Sequence, residues 1–168
     1  ILERFSEAEE KYKRALDLDP SRKQTLYLYG SALTKVKKVK EAKEKFHSIL
    51  KIDPNFAEAH NGIGLANIEL KNFDEALVNF RNAIKIKSDY LDAINNYGYT
   101  LQENKQYDES IKAFEQALRL DNTCLRTYNN LAKAHLDNGT VTTAKQIFYD
   151  GLKIDGEYLP ILKNLVEV

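Results

Sequence analysis

Apolar residues recur every three or four positions along most of the chain, the spacing that gathers them onto one face of an α-helix. Between Ala57 and Ile86 the pattern predicts two helices in succession. Ile63, Gly64 and Asn67 share a face of the first; Ala76, Phe80, Ala83 and Ile84 share a face of the second. The stretch KNFDE between them supplies a turn, and Asp74-Glu75 puts negative charge in the second helix's first turn, where the helix dipole favours it. Pro20 and Pro54 follow second helices and stop them, because proline has no N–H to donate and disfavours helix in the residue before it. The predicted unit is a helical hairpin.

The hairpin repeats. A step of 34 residues links Ala8, Ala42, Ala76, Ser110 and Ala144, and also Tyr12, Phe46, Phe80, Phe114 and Phe148. The same step links Gly30, Gly64, Gly98 and Ala132, and runs from Pro20 and Pro54 to Ser88, Asn122 and Gly156, all turn formers. One period without insertion divides the chain into a second helix (1–22), full units at 23–56, 57–90, 91–124 and 125–158, and an orphan first helix (159–168). Glycine inside a helix costs about 1 kcal/mol relative to alanine. Gly64 and Ala76 are therefore expected where the two helices of a hairpin cross most closely, with Phe80 filling the space around them and Ala83 admitting the next hairpin.

These columns resemble the tetratricopeptide repeat (TPR), whose pattern runs aromatic or large residue, Leu-Gly, Tyr, Ala, Phe, Ala, Pro. The third unit reads His60, Ile63-Gly64, Asn67, Ala76, Phe80, Ala83 and Ser88. The fourth reads Ile94, Tyr97-Gly98, Leu101, Ser110, Phe114, Ala117 and Asn122. Asn67 and His135 replace the usual aromatic, Ile49 replaces a small residue, and proline is lost from the last three turns. The resemblance implies an all-α, right-handed α-solenoid of stacked antiparallel hairpins, with first helices lining a concave binding surface. With no initiator Met and an opening already helical in pattern, the chain reads as a fragment of a longer TPR protein.

Composition narrows the function. Twenty-five basic and 25 acidic residues cancel, so no global field recruits nucleic acid or anionic lipid. Apolar runs are too short for membrane insertion. Lone Cys124 excludes an internal disulfide and points to a reducing, cytoplasmic location. His47, His60 and His135 occupy different repeat positions with no cysteine or carboxylate at ligand spacing, so no metal is expected. Phosphate loops, H-E-x-x-H and G-x-S-x-G are all missing; neither an enzyme nor a cofactor is expected. The basic run from Lys35 to Lys45 lacks interleaved aromatics and reads as a solvated turn.

Helical phase predicts the residues of the concave face. The second unit offers Gln24, Tyr27, Leu28, Ser31 and Lys35, and the third Glu58, Asn61, Gly62, Leu65 and Glu69. The fourth offers Asp92, Asn95, Asn96, Tyr99 and Glu103, and the fifth Arg126, Asn129, Asn130, Lys133 and Asp137. Asn96, Asn130 and Asn164 recur at intervals of 34. An asparagine both donates and accepts, so such a ladder suits the backbone of an extended peptide of any sequence. It resembles the asparagine ladder along the TPR arm of O-linked N-acetylglucosamine transferase. Acids in the third and fourth units against Arg126, Lys133 and Lys163 further on would orient a ligand bearing basic residues. The Lys-Asn-Arg set with which some TPR domains hold chaperone tails is not matched. The expected function is a non-catalytic protein-interaction scaffold binding a protein or peptide in this groove. The alternatives are the targeting arm of a larger enzyme and an array that self-associates end to end. Leu2 and Phe5 at one end, and Leu162, Leu165 and Val166 at the other, are expected to lack partners.

Overall fold

The computed structural model describes residues 2–167, with side chains from Phe5 onward. The terminal residues of the first and last segments and the expected exposure of Leu2 therefore lie outside the described residues. Ten helices follow in order: α1 (Leu2–Leu18), α2 (Lys23–Lys35), α3 (Val39–Ile52), α4 (Ala57–Glu69), α5 (Phe73–Ile86), α6 (Leu91–Glu103), α7 (Tyr107–Leu120), α8 (Leu125–Asp137), α9 (Val141–Leu152) and α10 (Leu159–Val166). Among the described residues there is no strand. The helices α2/α3, α4/α5, α6/α7 and α8/α9 pack as hairpins, and α3/α4 and α7/α8 join neighbouring hairpins. The chain comprises two compact units, Ile1–Ser88 and Asp89–Val168, which meet in sequence at an inter-repeat turn.

Within each unit the core follows the small-and-large columns. Phe46, Phe80, Phe114 and Phe148 are all buried, as are Ala42, Ala76 and Ala144. A Cβ added to Gly64 would stand 2.5 Å from Phe80 Cε1; at Gly30 and Gly98 it would stand 2.8 Å from Phe46 Cε1 and Phe114 Cε1. The glycine is thus the seat of the partner helix's aromatic ring, which refines the expected crossing of Gly64 with Ala76. Where the fourth unit has Ser110 in place of alanine, its buried hydroxyl donates to the Gly98 carbonyl at 2.7 Å, so the close approach also satisfies a polar group. Helix α4 is buried on most sides, with Ala57, Ala59, Asn61, Gly62, Ile63, Gly64, Ala66 and Asn67 all enclosed. Its small side chains are what let α2, α3 and α5 pack around it.

The turns inside the hairpins share one construction. Lys37, Lys71 and Lys105 have φ of 61°, 60° and 60°, and Gly139 has φ of 79°; the four stand 34 residues apart. At the third unit Lys71 N–H donates to the Ile68 carbonyl at 2.9 Å and Asn72 N–H to the Asn67 carbonyl at 2.8 Å, the paired bonds of a Schellman cap. The same pair recurs at Lys37/Lys38, Lys105/Gln106 and Gly139/Thr140. Left-handed backbone costs an L-residue about 1–2 kcal/mol and costs glycine little. Lys71→Gly is therefore expected to stabilise the chain, by up to about 1 kcal/mol after glycine's greater unfolded-state entropy is subtracted. Chemical denaturation measures the gain, and a loss of stability would contradict the turn geometry.

Turns between hairpins use aspartate rather than proline alone. Asp19, Asp53, Asp121 and Asp155 accept the backbone N–H two residues on at 2.9–3.1 Å. These bonds close the chain without proline, so the turns at Asn122 and Gly156 survive its loss. The hydroxyls of Ser21 and Thr123, then their N–H groups, hold the Asp19 and Asp121 carboxyls below the usual carboxylate range. At Asp53 the main cause is a hydrogen bond from Lys23.

The two ends are partly covered by their own units. Phe5 packs against the first unit's core. Leu165 packs against the buried cluster of Ala132, Ala144, Phe148 and Ile161, and Leu162 is half-buried. The packing of α10 on its own unit thus covers part of the face for which no second-helix partner follows in this sequence. Gly151 explains the fit, because a Cβ there would lie 2.6 Å from Ile161 Cδ1 of α10. Val166 alone of that trio is exposed.

Candidate functional site

The first helices of the hairpins present the predicted residues in two separate settings. In the first unit, α2 and α4 enclose a slot of about 260 Å³ floored by Phe46 of α3. Its walls include Tyr27, Ser31, Thr34 and Lys35 of α2, and Glu58, Asn61, Gly62 and Leu65 of α4. The slot depends on Gly62. A Cβ there would stand 2.6 Å from Phe46 Cζ, so a larger residue would displace the ring that forms the floor. Tyr27 tilts against the same ring with centroids 6.2 Å apart, and against Phe56 at 6.1 Å. Asn61 is buried in the wall, Glu58 and Leu65 are half-buried, and Glu69 is exposed at the helix end. Neither Glu58 nor Lys35 has a bonding partner among the described residues.

In the compact unit Asp89–Val168 five of the predicted residues, Asp92, Arg126, Asn129, Asn130 and Asn164, are bonded to one another. Arg126 Nη2 donates to Asp92 Oδ1 at 2.6 Å, so the acid of one repeat is paired with the base of the next. The charge separation expected between the fourth and fifth units is to that extent neutralised locally. Asn95 is buried: its amide donates to the Leu91 carbonyl at 3.1 Å and accepts from Thr127 Oγ1 at 2.9 Å. It joins α6 to α8 and is buried there. Gln102 makes a similar bridge to Asp137 at 2.6 Å.

Asn164 Nδ2 donates to Asn129 Oδ1 at 2.7 Å, and Asn129 Nδ2 reaches Asn130 Oδ1 at 3.5 Å. Asn96, Asn129, Asn130 and Asn164 are each half-buried, and Tyr99, Glu103 and Lys133 are exposed. Lys133, Leu136, Asp137, Asn164 and Glu167 line a second cavity of about 250 Å³ between α8 and the end of α10. Both cavities thus lie between consecutive first helices.

The histidines serve the scaffold. His60 Nε2 lies 3.1 Å from the Pro54 carbonyl and His135 Nδ1 lies 2.8 Å from Thr140 Oγ1. Burial lowers the pKa of His47, assisted by Lys43 and Lys51, and burial also lowers that of His135. Among the described residues no group of three His, Cys, Asp or Glu side chains is placed to hold a metal ion. No described helix is long and apolar enough to cross a membrane.

Helical phase missed Phe46, which reaches the slot from a second helix, and Thr34 beside it. The signal for the slot was present in one column: Gly62 stands 34 residues before Asn96, at the position that carries asparagine in the following units.

Models of the tetratricopeptide repeat match residues 2–55, and 57–90 together with 125–158, and a TPR repeat model matches 98–139. The chain belongs to the tetratricopeptide-repeat family. Its fold is similar to the crystal structure of MamA, with a TM-score of 0.82 and 24% identity over 91% of this chain and 90% of that one. It is also similar to TTC0263, a thermophilic TPR protein in Thermus thermophilus, with a TM-score of 0.81 and 19% identity over 99% of this chain and 91% of that one. A third similar structure is YrrB, described as a TPR protein with an unusual peptide-binding site, at a TM-score of 0.79 and 19% identity over 97% and 84%. No curated protein sequence matches the chain. The fold is the all-α helical-hairpin solenoid of this family, and the family assignment makes the chain a protein-interaction module.

Proposed function

We propose that the chain is a non-catalytic, cytoplasmic TPR scaffold that binds an extended peptide against the first helices of its hairpins. The observation that carries this reading is that two cavities, of about 260 and 250 Å³, each lie between consecutive first helices within one unit, whereas the roomier space of about 470 Å³ between Pro54, His60 and Ile86 is lined from both helices of one hairpin. The first helices of Asp89–Val168 carry Tyr99 together with amides at Asn96, Asn130 and Asn164, a mixture suited to side-chain and main-chain contacts in one ligand. Glu58, Glu69 and Glu103 have no partners among the described residues and favour a ligand with basic residues. A similar fold in a protein described as having a peptide-binding site lends support.

The test begins with selection from a random peptide library against the whole chain. Backbone amide exchange, with and without the selected peptide, then locates the contact. The reading expects added protection in α2, α4, α6, α8 and α10. Protection concentrated in α3, α5, α7 and α9 would refute it, as would failure of the library to yield any binder.

A further inference from the structure

Resting on the peptide-binding reading above, we infer that the slot between α2 and α4 takes one large apolar side chain from a protein segment whose flanks carry opposite charges. The side chain is leucine- to phenylalanine-sized, with a basic residue on the Glu58 side and an acidic residue on the Lys35 side.

The shape argument starts at Gly62. The floor it exposes is the Phe46 ring, and the walls beside it are Tyr27 and Leu65, so the interior offers apolar surface and aromatic contact. A volume of about 260 Å³ holds one large side chain rather than a drug-sized ligand, since pockets for the latter start at roughly 300 Å³. An aromatic or branched aliphatic group would make the most of such a space, because aromatic pairs gain beyond the area they bury.

Charge sets the orientation. Glu58 lies in the first turn of α4 and Lys35 in the last turn of α2. Two hairpin reversals, from α2 through α3 to α4, make α2 and α4 run the same way, so these charges mark opposite ends of the slot. Neither is neutralised by a described residue, in contrast to Asp92 and Arg126 in the second unit, which pair with each other. Complementary charges on a ligand would fix its direction and suppress the reverse register. The column supplies the contrast: where later units place an asparagine suited to main-chain contact, this one has removed the side chain and opened a receptor for one.

The experiment uses the whole chain and an array of short synthetic peptides. The central residue is Phe, Leu, Ala or Asp, and the flanks are Lys and Glu in all four combinations. Fluorescence polarisation measures affinity. Phe- or Leu-centred peptides with one basic and one acidic flank are expected to bind at least about tenfold more tightly than their Ala-centred counterparts. Ser31→Phe, which fills the slot from its wall, should abolish that difference. Glu58→Lys should reverse the preference at its flank from basic to acidic, and because Glu58 has no partner the variant is expected to fold even if Ser31→Phe does not. Equal binding of Phe- and Ala-centred peptides, or a charge preference unmoved by Glu58→Lys, would overturn the inference. Array peptides that bind without central or flanking preference would overturn the slot alone. Failure of every array peptide also overturns the slot, while the exchange map of library-selected peptides decides the broader reading separately.

Discussion

Phe80→Ala is expected to lower the free energy of unfolding by about 3–5 kcal/mol, the range for deleting a buried aromatic ring from a core. The ring is fully enclosed, and it sits against the backbone of Gly64, where no side chain can follow it inward to fill the void. Gly64→Ala attacks the same contact from the other side. Its new Cβ would stand 2.5, 2.7 and 2.8 Å from three atoms of the Phe80 ring, so the ring or the helix must shift. Overpacking of this kind costs about 1–3 kcal/mol. The pair Gly64→Ala with Phe80→Leu is the sharper test, because the smaller partner leaves room for the methyl group. Its cost should fall below the sum of the two single costs, the non-additivity expected of groups in contact. Urea titrations followed by circular dichroism measure Phe80→Ala, the single variants Gly64→Ala and Phe80→Leu, and their pair. Simple additivity would mean that Gly64 and Phe80 do not oppose each other as described.

The repeating architecture was legible because its columns are physically extreme. A glycine in mid-helix opposite a phenylalanine in the next helix leaves a mark that no surface position imitates. Helices α2, α4, α6, α8 and α10 begin at Lys23, Ala57, Leu91, Leu125 and Leu159, one period apart. The left-handed turns were not legible, since lysine has no preference for that conformation and only Gly139 marks it. The Schellman bonds, made by backbone groups, impose it on Lys37, Lys71 and Lys105. The turn at Ser88, where the two compact units meet in sequence, has Lys87 where the column otherwise carries aspartate.

At the candidate site, helical phase identified seven residues that line the first unit's slot, from Tyr27, Ser31 and Lys35 to Glu58, Asn61, Gly62 and Leu65. Phase describes one helix at a time, and this limits it. Asn95 and Asn96 are sequence neighbours, yet Asn95 is 2% exposed because Thr127 of α8 reaches it, and Asn96 is half-buried. Only the packing of one first helix on the next separates a bridging amide from an accessible one. The ion pair between Asp92 and Arg126 was hidden for the same reason. The residues stand 34 apart in sequence, at equivalent positions of adjacent repeats.

Recognition of an extended partner's main chain by the first helices would rest on the amides that recur along them. Replacing Asn96, Asn130 and Asn164 together by alanine tests it most directly. Each amide hydrogen bond to a ligand contributes about 0.5–1.5 kcal/mol net, so the triple variant should bind a selected peptide more weakly by about 2–4 kcal/mol. The bond between Asn164 and Asn129 occupies one of the two Nδ2 protons and leaves the Asn164 carbonyl for a ligand. These three side chains lie outside the enclosed core, so the far-ultraviolet circular dichroism spectrum should be unchanged. The decisive measurement is the dissociation constant of the triple variant for a peptide selected on the parent chain, by isothermal titration calorimetry. A loss of about 2–4 kcal/mol with the fold intact is the predicted result, and an unchanged dissociation constant with the fold intact would contradict the claim and move binding to another surface.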